Sequence, residues 1–197
     1  MTEAGPRPSE RVERTTKETS IVVELDIDTP GQVEVATPVP FFDHMLHAMA
    51  FHGGFSLRVQ ATGDTEVDDH HLVEDTGIVL GQCLQRISAR QPVVRFGSAL
   101  VPMDDALAEV VVDAGGRGYC HYDARFPQAR VGSFDVSLVR EFVVAIAVHA
   151  RLNLHAMVRH GLNSHHMIEA LYKALGRALF AAYRPAATVR STKGSVA

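Results

Sequence analysis

The chain has 197 residues, 46% of them apolar and 21% charged, with a formal net charge of −4. That length suits one substantial domain with its own core, and the lack of a basic excess excludes nucleic acid as the main partner. Two cysteines, Cys83 and Cys120, are too few for a disulfide framework or a thiolate zinc site, so the compositional outlier is histidine, at 11 residues.

Residues 1–10 are polar and proline-containing and are expected to be disordered. They have no apolar core and so do not read as a signal peptide. No apolar run approaches the roughly 18 residues of a membrane span, so a soluble cytoplasmic protein is expected. SIVVELDID (20–28) alternates apolar and polar residues, and TPGQ turns it into VEVAT (33–37), which predicts a β-hairpin. FFDHMLHAMAFHG (41–53) has helical rhythm and ends on glycine. FSLRVQAT (55–62) reads as a strand, and HHLVEDTGIVLGQCLQRISA (70–89) as a helix with Val73, Thr76, Leu80, Leu84 and Ile87 on one stripe. Residues 107–124 predict a second hairpin around Gly115-Gly116. Residues 137–150 follow as a helix, 151–159 as a strand, and 165–183 as a long helix with Ile168, Leu171, Leu175 and Leu179 facing one way.

The order hairpin, helix, strand, helix occurs twice. Setting His71 on His166 also matches Glu74 with Glu169, Leu80 with Leu175, Gly81 with Gly176 and Leu84 with Leu179. Running back through the strand matches Leu57 with Leu154, His52 with His149 and His44 with Glu141, after a two-residue difference in the loop. These matches predict an internal duplication in an α+β fold: two repeats, about 11–92 and 93–184, and two sheets each covered by helices.

The duplication carries His-His-x-x-Glu in both copies. A lone copy is weak evidence, because histidines and acids near a helix start are often solvated or capping. Two copies in register point to metal. Residues four apart share a helix face, so His70 with Glu74, and His165 with Glu169, can each grip one ion. Adjacent residues diverge by about 100°, so His71 and His166 must serve other ions, completed by the other repeat or by another subunit. Two swapped sites result: His44, His71, His165 and Glu169; and Glu141, His70, Glu74 and His166. Imidazole and carboxylate ligands without sulfur suit manganese, iron or zinc. Asp68 and Asp69 are candidate acceptors for the imidazole N–H groups. His47, His52, His121, His149, His155 and His160 have no carboxylate at helical spacing, which favours packing or surface roles.

FFDHMLH, ATGDTEVDDHHLVEDTGIVLG, VRFG, GRGY, GLNSHHMIEALYKALGRAL and STKG together resemble the imidazoleglycerol-phosphate dehydratase family, in the expected order from about Arg11 to Gly194. The resemblance implies a fold like ribosomal protein S5 domain 2. It implies one dehydratase domain over 11–194 ending in a phosphate-binding tail, and two Mn2+ per active site, with Fe2+ or Zn2+ as alternatives. It also implies a homo-oligomer of 24 subunits with active sites between subunits. It assigns His44, His70, His71, Glu74, His165, His166 and Glu169 as metal ligands. Glu141 stands where some members carry histidine. Arg95, Arg117, Lys173, Ser191 and Lys193 match phosphate-binding positions, and Glu18 matches an acid–base position. His52 matches a position near the substrate, which His44, His70, His71 and His165 would also contact. His71 and Glu169 would join Glu18 in catalysis. In GRGY the chain departs from a family pattern in which proline commonly follows the arginine.

The implied reaction is dehydration of imidazole glycerol phosphate to imidazole acetol phosphate in histidine biosynthesis, through a dimetal-bound imidazolate. Two rival readings remain at this level. A dimetal phosphate-ester hydrolase would want a bridging carboxylate, and none is evident. A metal-storage protein would not need Arg95, Arg117 and Lys193.

Overall fold

The computed structural model describes residues 9–188 and Ser191. The elements in chain order are β1 (Ser9–Thr15), β2 (Thr19–Asp26), β3 (Val33–Ala36), α1 (Pro40–Gly53), β4 (Ser56–Gly63), α2 (His70–Arg90) and β5 (Phe96–Met103). There follow β6 (Ala106–Asp113), β7 (Tyr119–Asp123), the short pair β8 (Arg130–Val131) and β9 (Phe134–Asp135), α3 (Leu138–His149), β10 (Asn153–His160) and α4 (Ser164–Tyr183). The first sheet has the order β1-β2-β4-β3 and the second β5-β6-β10-β7. In each, the first three strands are antiparallel and the fourth runs parallel to its neighbour. The two sheets are therefore the same unit drawn twice, as the residue matches predict.

Both expected hairpins are corrected. β2 does not pair with β3; it pairs with β1, across the turn at residues 16–18, and with β4. β6 does not pair with β7; it pairs with β5, across Asp104 and Asp105, and with β10. In both repeats β3 or β7 crosses to the far edge and lies parallel to β4 or β10. A turn signal shows where a strand stops, and burial on the sheet decides its partner. β1 and β5 are strands that alternation did not flag. Ser9 and Glu10, expected in the disordered start, open β1, where Glu10 is buried and paired with Arg90. Residues 1–8 and the tail lysine Lys193 lie outside the described residues.

The inner faces explain the packing. Ile21, Val23 and Leu25 of β2 and Ala108, Val110 and Val112 of β6 point inward and are buried. They cover the helices, whose predicted stripes are also buried: Val73, Thr76, Leu80, Leu84 and Ile87 on α2, and Ile168, Leu171, Leu175 and Leu179 on α4. The helices pack across the repeats, α1 on α4 and α2 on α3. Two glycines at matched positions permit this. A Cβ at Gly176 would overlap the Met49 carbonyl of α1, and one at Gly81 would crowd Ile146 and His149 of α3. The crossing of α1 on α4 carries His44 toward the second repeat's His-His-x-x-Glu. Among the described residues no helix is long and apolar enough to cross a membrane.

Candidate metal centre

α2 and α4 begin in the same way. Asp68 accepts the backbone N–H of His70 at 2.7 Å, and Asn163 accepts that of His165 at 2.9 Å. Both residues precede the first histidine by two; Asn163 is the N-cap of α4, while Asp68 stands one residue before the N-cap of α2, Asp69, which makes no cap bond of its own. Asp68 is thus a backbone acceptor, and its charge also acts on the His71 imidazole. Burial, reinforced by Asp68, raises the Asp69 carboxyl above its ordinary value.

The adjacent imidazoles diverge as helix geometry requires. The His70 and His71 rings are 6.0 Å apart at 86°, and those of His165 and His166 are 6.1 Å apart at 74°. The first histidine of each pair turns to the glutamate one helical turn on: His70 Nε2 is 3.6 Å from Glu74 Oε2, and His165 Nε2 is 3.2 Å from Glu169 Oε2. His44 reaches the second pair from α1, with Nε2 3.5 Å from Glu169 Oε2. Ligand atoms of His44, His165 and Glu169 lie within 4.8 Å of one another. Three of the four groups expected at the first swapped site therefore meet within one chain. His71, the fourth, is not among them. At the second expected site His70 and Glu74 are together, while Glu141 pairs with Arg140 at 3.1 Å and His166 faces elsewhere.

The second histidine of each pair is tied to a carboxylate through Nδ1. His71 Nδ1 is 3.1 Å from Asp64, at the end of β4, and His166 Nδ1 is 2.6 Å from Asp105, in the β5–β6 turn. Such a bond fixes the ring and sets where Nε2 stands; that of His166 lies 3.5 Å from Asp104 Oδ2. The hydrogen bond to Asp64, opposed by burial and aided by Glu18, raises His71 above its ordinary value, and the bond to Asp105 does the same for His166. Reciprocally, His166 and the N–H groups of Leu162 and Asn163 hold the Asp105 carboxyl far below its ordinary value. Sequence reading missed both aspartates. Asp64 lies seven residues before His71, where proximity is the one available hint; Asp105 is 61 residues from His166, and no local pattern joins them.

Glu169 is buried, 8% exposed, and Lys173 Nζ sits 2.7 Å from its Oε1. Burial works to raise this carboxyl, but Lys173, His44 and His165 outweigh it and hold it below its ordinary value. Lys173, expected at a phosphate position, therefore directs its ammonium to the ligand cluster, with Met103 Sδ 3.4 Å away. His52 ends α1 beside this group; burial and then Lys173 depress its pKa, against a pull from Glu169. His44 and His47 also line a cleft of about 520 Å3 between α1 and the β3–β4 edge.

Glu18 belongs to the β1–β2 turn, and its Oε2 is 3.9 Å from His71 Nδ1. Arg95 forms a bidentate pair with Asp113, at 2.7 and 3.1 Å, and lies 4.8 Å over the Phe96 ring. Its backbone is left-handed at φ 82°, a conformation that costs a non-glycine residue energy and recurs at functional sites. Arg117 is exposed after Gly115-Gly116, and its carbonyl accepts from Asn153 at 2.6 Å. Ser191 is half-buried.

Comparisons with known proteins agree with one another. The family model "Imidazoleglycerol-phosphate dehydratase" matches residues 37–179. The imidazoleglycerol-phosphate dehydratase of Bacillus velezensis is 53% identical over 174 residues, covering 88% of this chain and 89% of that protein. Among solved structures, the enzyme from Staphylococcus aureus superposes with a TM-score of 0.81 at 39% identity, over 90% of this chain and 99% of that one. The enzyme from Pyrococcus furiosus superposes with a TM-score of 0.82 at 41% identity, over 93% and 99%.

Proposed function

The chain belongs to the imidazoleglycerol-phosphate dehydratase family, and on that premise we propose how its residues divide the work. The reaction is the dehydration of imidazole glycerol phosphate to imidazole acetol phosphate in histidine biosynthesis, which makes the enzyme a lyase. The carbon that loses its proton is not next to a carbonyl, so enolate chemistry is closed. The electrons that expel the hydroxyl have to come from the substrate's own imidazole ring.

The donor set fits hard-to-borderline divalent ions: nitrogen and oxygen, no sulfur, with manganese favoured and iron(II) or zinc as alternatives. His44, His165 and Glu169 would hold one ion together with His71 of another copy of the chain. His70 and Glu74 would hold a second, with His166 and Glu141 supplied the same way. When bound, two such ions would supply Lewis acidity at the ring nitrogens and ease loss of the ring proton. The observation that carries this reading is the split of each double histidine. One imidazole faces a carboxylate one turn on, and its neighbour, tied to Asp64 or Asp105, faces away.

The chain's own residues supply the rest. Asp64 and Asp105 orient the outward imidazoles. Lys173 pairs with Glu169 and favours its charged form, the form that would act as a ligand. Glu18 stands beside His71 and exchanges the proton taken from carbon and the one delivered to the departing hydroxyl, a role that needs hydrogen-bond reach. Arg95 (its guanidinium oriented by Asp113), Arg117, Ser191 and Lys193 take the phosphate, which is remote from the reacting carbons and contributes binding energy to positioning. Sites shared between copies call for a large cytoplasmic homo-oligomer, of 24 subunits on the family pattern.

The test is chelation at neutral pH followed by light scattering and assay with imidazole glycerol phosphate. Stripped protein should fall to smaller oligomers and lose turnover, and manganese should restore both. Unchanged size and unchanged turnover after complete metal removal would sink the shared-site reading.

A further inference from the structure

We propose that Asp75 is a positioning residue for Glu18: buried beneath the start of α2, its carboxylate clips the β1–β2 turn in place through Thr19 and Arg14, and so sets where Glu18 stands against His71. The proposal rests on the reading of Glu18 as the proton-transfer group.

The Glu18 side chain is 55% exposed, so packing does not fix it. Its backbone is held tightly instead. Thr16 Oγ1 accepts the N–H groups of Glu18 at 3.1 Å and Thr19 at 3.0 Å, and Thr16 N–H donates to the Thr19 carbonyl at 2.8 Å. The turn then has two anchors. The Glu18 carbonyl accepts the N–H of Asp64 at 3.1 Å, and Asp64 also holds His71. The Thr19 hydroxyl donates to Asp75 Oδ2 at 2.5 Å, and the Arg14 guanidinium donates to the same oxygen. Gly63 lets the turn come this close, since a Cβ there would press on Thr19 Cγ2 at 3.2 Å and the Glu18 carbonyl at 3.4 Å. Asp75 lies four residues after His71, on the same face of α2. One helix face therefore carries the imidazole and, a turn below it, the anchor of the loop that presents the acid.

The other repeat has no carboxylate at this place. In the repeat register that sets His71 on His166, Asp75 falls on Ala170, which is fully buried. The second repeat buries a methyl group where the first buries Asp75. A buried, ion-paired carboxylate is weak as a stabilising device compared with apolar packing. Among the described residues Asp75 and Thr19 are two of the few buried polar ones, at 7% and 4% exposure, and they occur in the repeat whose turn carries Glu18.

The experiment uses the manganese-loaded enzyme and the pair Thr19→Val and Thr19→Ser, because Asp75→Asn risks misfolding around Arg14. Thr19→Val keeps shape and removes the hydroxyl. It should lower kcat by about 10- to 100-fold, the range for misplacing a catalytic group by about an ångström, with KM and metal content unchanged, and Thr19→Ser should restore kcat. In a Glu18→Gln background Thr19→Val should cost nothing further, since the clip acts through Glu18. Full kcat in Thr19→Val, or a further loss in the double variant, overturns the proposal while Glu18 keeps its role. Full kcat in Glu18→Gln alone removes the reading beneath it, and the proposal falls with that reading.

Discussion

Gly176→Ala adds one methyl group far from any candidate ligand, yet it should weaken metal binding. Gly176 lies where α4 crosses α1, and a Cβ there would sit 2.8 Å from the Met49 carbonyl carbon and nearer still to its oxygen. Ordinary contact begins near 3.4 Å, so the helices must part by more than about 0.6 Å. The obstacle is backbone, which cannot rotate away as a side chain would. The same two helices bring His44 to Glu169 and His165. Metal sites tolerate ligand displacements of only about 0.2 Å, so manganese affinity should fall at least about tenfold, the lower bound for disturbing the groups that orient ligands. Overpacking costs roughly 1–3 kcal/mol, of which the helix propensity of alanine returns at most about 1 kcal/mol. For a domain of this size a net loss of up to about 2 kcal/mol corresponds to a fall in Tm of up to about 8 °C. Gly81→Ala is the graded control: its nearest neighbours would be at 2.9–3.0 Å, so a shift of a few tenths of an ångström suffices and the loss should be smaller. Manganese titration by calorimetry and thermal melting of the chelated protein read both effects. A Gly176→Ala protein with parental metal affinity and melting temperature would refute the claim that this crossing sets the ligand spacing.

Glu18→Gln should lose about 10²–10⁴-fold in kcat while metal content, assembly and substrate affinity stay parental, and Glu169→Gln should lose metal itself; metal loss in Glu18→Gln would make Glu18 a ligand. The Asp105–His166 pair has a signed pH dependence in chelated protein. Because Asp105 raises the folded-state pKa of His166, its contribution is full below the unfolded value of about 6.5 and is lost as pH rises through the raised value. The Tm gap between parent and Asp105→Asn should therefore be wider at pH 6 than at pH 8, and an equal or reversed gap would show that the pair does not titrate as described. Truncation after Val189 removes Ser191 and Lys193 and should raise KM strongly with metal stoichiometry intact; an unchanged kcat/KM would remove the tail from the phosphate site.

The local features were legible in the sequence because their physics is local. Helical spacing places His70 with Glu74 and His165 with Glu169, and the angle between adjacent residues sends His71 and His166 away from them. The repeat register followed from matched residues, and it set Gly81 on Gly176 and predicted two sheets covered by helices; that helices cross at those glycines came from the structure. Motif resemblance carried the family. What needed the tertiary structure was strand pairing and the contacts, distant in the chain, that no repeat or motif pointed to. Turn signals placed the ends of β2 and β6 but paired them with the wrong strands, since pairing is decided by which face is buried. No spacing rule joins His166 to Asp105 or Thr19 to Asp75, separated by 61 and 56 residues. Sequence determined which groups this protein brings to its chemistry; the packing of α1 on α4 and the placement of two turns against two helix starts decided how those groups stand, because the free energy of those contacts exists only once the sheets have closed over the helices.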